Sequence, residues 1–178
     1  MALAVKLRLT DSVVGRDERR AHAMLAELQA DATQTLEDLR DLARGIYPPL
    51  LADRGLGPAL EGQARKSAVP VSVETDGIGR YQQEAESAVY FSCLEALQNV
   101  AKYANASRAV VRLSGSDGTV AFEVVDDGVG FDPDAVERGS GLQGIADRLA
   151  ALGGEITIRS TPGNGTTIAG RLPAEAVP

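Results

Sequence analysis

The sequence predicts an α+β fold: a two-layer sandwich in which helices cover one face of a mostly antiparallel sheet, preceded by helical sequence. Three observations predict it. Strand-like runs come in pairs joined by Gly-containing turns, 109–113 with 120–125 and 156–160 with 166–172, the pattern of hairpins. A Pro-free, helix-favouring run precedes each pair, at 82–104 and at 142–152, and alternation of hairpins with helices gives a sheet covered on one side. Upstream, no Gly or Pro interrupts the chain from Asp17 to Gly45, and Leu25, Leu28, Ala32, Thr35, Leu39, Leu42 and Ile46 keep strict three-four spacing.

Taken in order, residues 1–14 read as a short apolar helix carrying Leu3, Leu7 and Val14, ended by Gly15-Arg16-Asp17. The 17–46 run follows. Its three-four seam is that of helices packing in a bundle or coiled coil, and a single amphipathic helix lying on its own domain is the alternative. Pro48-Pro49 removes two backbone donors and restricts the residues before them. The domain boundary is therefore expected there, separating 1–47 from 48–178. Residues 58–68 read as a helix and 69–75 as a strand with Val71 and Val73 alternating. The helix at 82–104, the hairpin around Gly115-Ser116-Asp117-Gly118, a Gly- and Asp-rich loop and the helix at 142–152 come next. Gly153-Gly154 ends that helix, Pro162-Gly163-Asn164-Gly165 turns the last hairpin, and the final residues are expected to fray.

Composition narrows the chemistry. Acidic residues number 25 against 18 basic, a net charge of −7, and aromatics make up 4% of the chain, so the basic stacking surface of a nucleic-acid binder is missing. One Cys excludes an internal disulfide framework and a Cys-rich zinc site. One His, His22, excludes a multi-His metal centre. No apolar run approaches the ~20 residues of a membrane span. Carboxylates, amides, Lys, Arg, backbone and a bound cofactor remain.

Four constellations could use them. At about 100° per residue, Glu95, Asn99 and Lys102 share one face of the 82–104 helix, opposite Val89, Cys93, Ala96, Leu97 and Val100. The stripe is either a solvated side-chain network or a site in which the Asn99 oxygen serves as a hard ligand for Mg²⁺ alongside substrate phosphates. Asp126-Asp127-Gly128-Val129-Gly130 leaves an apolar strand. It is either an Asp-Gly turn or a place where an acceptor-only carboxylate selects an adenine amino group over guanine O6. Gly139-Ser140-Gly141-Leu142-Gln143-Gly144 matches the dinucleotide-binding glycine pattern, but it follows a polar loop instead of a strand and lies outside any βαβ unit. Its glycines still leave free N–H groups at a helix start, a phosphate site, after a loop with the makings of a lid. Gly163-Asn164-Gly165-Thr166 alone is a hairpin turn.

In order and spacing, Glu95-x-x-x-Asn99-x-x-Lys102-Tyr103, Asp126-x-Gly128-x-Gly130, Gly139-x-Gly141-Leu142-x-Gly144 and Gly163-x-Gly165-Thr166 resemble the N, G1, G2 and G3 boxes of the GHKL ATPases. The chain looks most like the catalytic region of a sensor histidine kinase, of the subfamily paired with response regulators carrying LuxR-type DNA-binding domains. Ala43-Arg44-Gly45-Ile46-Tyr47-Pro48-Pro49-Leu50-Leu51 and Gly55-Leu56-x-x-Ala59-Leu60 are similar to that subfamily's junction between dimerisation helices and ATPase domain. The resemblance implies a Bergerat-type ATP-binding fold preceded by a partial dimerisation helical hairpin, with ATP and Mg²⁺ as cofactors. It implies that Asn99 ligates Mg²⁺, Lys102 reaches the phosphates and Asp126 holds the adenine amino group with Thr166 in support. Gly128, Gly130, Gly139, Gly141, Leu142 and Gly144 would shape pocket and lid, and Glu95 would orient water or the metal. Tyr103 stands where relatives often carry His.

Such a kinase moves the γ-phosphoryl of ATP to a His on the first dimerisation helix, where the family's motif reads His-Asp followed closely by Gln. His22 is followed by Ala23-Met24, so the expectation is that the chain begins just after the phosphorylated His and does not autophosphorylate alone. Implied partners are a second copy, through the hairpin, and a LuxR-type response regulator, with no direct nucleic-acid or membrane contact and a cytoplasmic setting. Two alternatives stand beside this reading: an anti-sigma-type Ser/Thr kinase of the same fold, and a non-catalytic nucleotide-sensing dimerisation module.

Overall fold

The computed structural model describes residues 48–133, 135 and 140–177, together with 20, 22 and 24–26. The chain divides into two compact units, residues 1–46 and 47–178. In the first, the described residues are helical, and Leu25, which opens the three-four seam, is exposed. The rest of the seam, the 1–14 helix, the Gly15 break and the expected hairpin lie outside the described residues. Among the described residues no helix is long and apolar enough to cross a membrane.

The second unit opens with two short helices, α1 (Pro49–Arg54) and α2 (Leu56–Ala64). The double proline therefore also starts a helix, which the sequence reading misses. Pro48 is extended, with ψ 130°, and Pro49 takes the first helical position, where a missing N–H is harmless because first-turn donors have no intrahelical partner. Gly55, at φ +76°, links the two helices, so α2 begins at Leu56 and not at 58. Leu51, Leu56 and Leu60 from this pair are fully buried.

Strand β1 (Val71–Asp76) and the two-residue β2 (Arg80–Tyr81) lead into α3 (Gln83–Asn99), which continues as a π-helical turn, Val100–Ala104. The predicted inward stripe holds: Val89, Cys93, Ala96, Leu97 and Val100 are all buried. Strands β3 (Ala109–Ser116) and β4 (Thr119–Asp126) form a tighter hairpin than expected. Asp117 and Gly118 both adopt positive φ, 49° and 70°, the two-residue geometry whose twist matches that of paired strands, so the ladder extends to Ser116 and Thr119. Helix α4 (Ser140–Ala150) and strands β5 (Glu155–Ser160) and β6 (Thr166–Pro173) follow. The C-terminal residues, expected to fray, instead form β7 (Ala176–Val177), paired antiparallel with β2.

The main sheet has five strands in the order β1-β3-β4-β6-β5. Only β1 with β3 is parallel; the other three pairings are antiparallel. This is the α+β two-layer architecture the sequence predicts. Val111, Leu113, Val120, Phe122 and Val124 point to the helix-covered face and are buried with Ile145 and Leu149 of α4. At Gly170 a Cβ would overlap the Phe122 ring, so a bare backbone on β6 seats this fully buried aromatic side chain. Each such fully buried apolar side chain contributes roughly 1.5–3 kcal/mol. The opposite face is polar: Arg112 pairs with Glu74 at 2.9 Å and Glu123 at 3.6 Å, and Arg159 with Glu123 at 3.3 Å.

Candidate nucleotide site

Three chain segments converge where β4 ends. Asp126 is its last residue, buried, and faces Thr166 as cross-strand partner on β6. Asp126 Oδ1 accepts the Gly128 N–H at 2.8 Å, a short Asx turn that fixes the carboxylate. Among the described residues no protein donor reaches Oδ2. A buried carboxylate with one oxygen held and the other unclaimed suits a ligand donor.

Thr166 is poised similarly. Ser160 Oγ accepts the Phe131 N–H at 2.8 Å and donates to the Gly165 carbonyl at 3.0 Å. Its one proton is thereby used, so in the 3.0 Å contact with Thr166 Oγ1 the threonine is the donor. Thr166 therefore presents lone pairs, not a proton, beside Asp126.

The glycines explain why the turns can approach so closely. A Cβ at Gly128 would overlap the Ala104 carbonyl oxygen, one at Gly130 the Thr161 carbonyl, and one at Gly165 the Asp126 carbonyl. Backbone bonds run along the same contacts: Val129 N–H to Ala104 O and Gly163 N–H to Val129 O, both at 2.7 Å. Gly141, in the first turn of α4, lies against the Glu95 carboxylate, where a Cβ would intrude. Gly144 has open space on its Cβ side, and Leu142 is partly buried against the core. Gly139 and residues 134 and 136–138 lie outside the described residues.

Asn99 ends α3, half-buried, and Lys102 and Tyr103 fall in the π turn, both exposed. None of the three makes a hydrogen bond or ion pair with a described residue. The π turn moves Lys102 off the 100° arithmetic that places it in one stripe with Glu95 and Asn99. Such turns interrupt helices frequently at functional sites. Arg148 of α4 is half-buried, and its guanidinium reaches Ser92 Oγ on α3 at 3.4 Å.

Two supporting groups escape the sequence reading. Asp127 accepts the Ser107 N–H at 2.9 Å, the Ser107 hydroxyl at 2.7 Å and the Arg108 N–H at 3.1 Å. The Ser107 hydroxyl, with the Arg108 N–H after it, holds the Asp127 carboxyl below the usual carboxylate range. Ser160 organises Phe131, Gly165 and Thr166, as described. The available signals were slight: a second Asp before Gly128, and a serine just before the Thr161-Pro162-Gly163 turn. Behind the site, burial pushes the Cys93 thiol up, leaving it an inert core group. A separate open concavity of about 670 Å³ lies on the polar face of the sheet, among Glu74, Arg112, Glu123 and Arg159, and includes none of these residues.

Residues 84–176 match the family model described as "Histidine kinase-, DNA gyrase B-, and HSP90-like ATPase". The chain is 32% identical, over 98% of its length, to an uncharacterized sensor-like histidine kinase of Chloroflexus aurantiacus, and covers 32% of that protein. It is 34% identical to the sensor histidine kinase NarS of Mycobacterium tuberculosis over 92% of its length, covering 39% of that protein. The chain thus spans about a third of the length of these relatives. In fold it is similar to the ATP-binding domain of PrrB from Mycobacterium tuberculosis, with TM-score 0.53 and 22% identity, over 68% of this chain and 92% of that one.

Proposed function

The chain belongs to the histidine kinase-, DNA gyrase B- and HSP90-like ATPase family, and from that premise we propose that residues 48–178 are the ATP-binding catalytic region of a two-component sensor histidine kinase. The observation that carries this is the Asp126 carboxylate, buried at the end of β4 with one oxygen fixed by Gly128 and the other unclaimed by any described residue. Adenine offers an amino donor to it and guanine an acceptor, so ATP is the expected nucleotide. The close-packed turns at Gly128, Gly130 and Gly165 supply a backbone cradle for it.

The donor set also fits Mg²⁺ carried in with the phosphates. Among the described residues there is no group of three or more His, Cys, Asp or Glu able to hold a metal alone, whereas Mg²⁺ with a nucleotide needs only one or two protein oxygens. Asn99 would supply one, with Glu95 near by to orient water or the ion. Bound Mg²⁺ would neutralise phosphate charge and align the γ-phosphoryl. Lys102 would add a point charge, Tyr103 would border the phosphates, and the first-turn N–H groups of α4 around Gly141 would receive an anion. Phosphoryl transfer demands positioning and charge neutralisation more than covalent chemistry from the protein, and these groups supply both.

The acceptor is a histidine outside this sequence, because His22 has Ala23 where the acceptor pattern has an acidic residue. A second copy provides the dimer, a LuxR-type response regulator takes the phosphoryl group onward, and the domain works in the cytoplasm. The names of the relatives favour this reading over an anti-sigma-type Ser/Thr kinase or a non-catalytic sensing module.

Calorimetric titration with a non-hydrolysable ATP analogue and its GTP counterpart, each with Mg²⁺, tests it. The ATP analogue is expected to bind and the GTP analogue to bind far more weakly. Asp126→Asn is expected to lose about 1.5–3 kcal/mol, a loss of roughly 10- to 150-fold in affinity. Equal affinity for the two nucleotides would overturn the adenine assignment. Mixing with a dimerisation segment carrying the His is expected to yield phosphohistidine; ATP binding without transfer would leave a non-catalytic module.

A further inference from the structure

We infer that Asp127, the neighbour of the adenine-binding candidate, is a positioning residue: its carboxylate clasps residues 105–108 onto the 126–130 turn and so fixes the two sides of the nucleotide site relative to each other. The inference rests on the nucleotide reading above and adds to it a residue that the N and G1 boxes do not assign.

The side chain is 37% exposed, yet three donors converge on it. Oδ1 takes the Ser107 and Arg108 N–H groups, and Oδ2 takes the Ser107 hydroxyl. The Arg108 guanidinium is also near, at 3.6 Å, but that pair is solvent-exposed, and such pairs contribute little. The backbone and hydroxyl bonds therefore define the contact.

Its location gives it leverage. Asn105 caps the π turn in the left-handed region at φ 47°, a conformation asparagine takes readily at a helix end, so the chain turns sharply there. It is held on both flanks by one segment: the Ala104 carbonyl accepts from Val129, and Ser107 and Arg108 donate to Asp127. Between those attachments Gly128 leaves no room for a Cβ against the Ala104 carbonyl. The π turn bearing Lys102 and Tyr103 runs directly into this zipped segment, and Asp126 emerges directly from it. Releasing Asp127 frees one flank of Asn105 and lets the Lys102 side shift against the Asp126 side.

Charge and geometry can be separated at this position. An Asn at 127 could keep the clasp: its carbonyl oxygen can accept both N–H groups, and its amide can donate to Ser107 Oγ, because a hydroxyl reverses roles freely. An Ala cannot. A carboxylate acting only through its field on the phosphates would instead make Asn and Ala equivalent.

The test titrates the Mg²⁺-bound ATP analogue into the 178-residue chain and its Asp127→Ala, Asp127→Asn and Ser107→Ala variants, each checked by circular dichroism at the titration temperature. Asp127→Ala is expected to weaken binding about 10-fold, the lower end of what a lost hydrogen bond to a charged group is worth. Asp127→Asn should restore affinity to within about threefold of wild type. Ser107→Ala, which keeps both backbone bonds, should cost about threefold, and serves if Asp127→Ala does not fold. Wild-type affinity in folded Asp127→Ala or in Ser107→Ala, or equal weakening by Ala and Asn, overturns the inference while leaving the nucleotide reading intact. A wild-type chain that binds no adenine nucleotide overturns the nucleotide reading itself, and the positioning role with it.

Discussion

Adjacent carboxylates at 126 and 127 do different work because their surroundings differ. Asp126 is buried and half-satisfied, whereas Asp127 is near the surface and saturated with donors. Hydrogen bonds to the charged form lower the pKa of Asp127 in the fold. A folded pKa below the unfolded value of about 3.9 means that the clasp stabilises the protein fully above that value and is lost as pH falls through the folded one. The stability gap between wild type and Asp127→Ala should therefore be constant from pH 7 to about 5 and close below pH 4, measured by urea unfolding across that range. A gap that widened in acid would contradict the assignment. Asp126 is legible from sequence because an alternating strand ends on it and Gly128 follows two residues later. Asp127 is not: its partners lie 19 and 20 residues upstream, in a loop with no periodicity to betray where it returns.

Between elements, the connection that matters most for α1 is Arg80. Its guanidinium donates to the Leu51 and Ala52 carbonyls of α1, at 3.4 and 2.8 Å, and to both oxygens of Glu86 in α3, at 2.9 and 3.3 Å. Glu86 is fully buried and also accepts the Tyr81 N–H at 3.0 Å. One fork thus joins the first helix after the double proline to the start of the long helix. Glu86→Ala removes the carboxylate that Arg80 shares with α3 and leaves the buried Tyr81 N–H without its acceptor, and should cost about 2 kcal/mol, seen as a lowered urea midpoint with unchanged slope. A change under about 0.5 kcal/mol, the level of an ordinary surface substitution, would show the Glu86 carboxylate to be dispensable. Elements with a period were readable: α3, α4 and the four longer strands after them follow their alternation. Those too short to carry one were not. Helix α1 has six residues and β2 and β7 two each, and their existence depends on partners distant in sequence.

For the molecule as a whole, the sheet combines local and remote pairings. β3 joins β4 across a two-residue turn and β5 joins β6 across five residues, while β1 pairs in parallel with β3, with Val71 opposite Ala109. Fold class was legible because hairpins and helices alternate along the chain. The parallel pair was not, since a period-two pattern states that a strand exists without naming its neighbour or direction. That pair has a kinetic consequence. Local hairpins close cheaply, but a parallel partner has to wait for the intervening helix to form and fold back. β1 is also an edge strand with Glu74, Thr75 and Asp76 exposed. Its amides are therefore expected to exchange with deuterium well before those of central β4 in native-state exchange, and protection of β1 equal to that of β4 would refute this. Assembly of the domain would then run outward from the β3–β4–β6 centre, with β1 the last strand to dock and the first to leave.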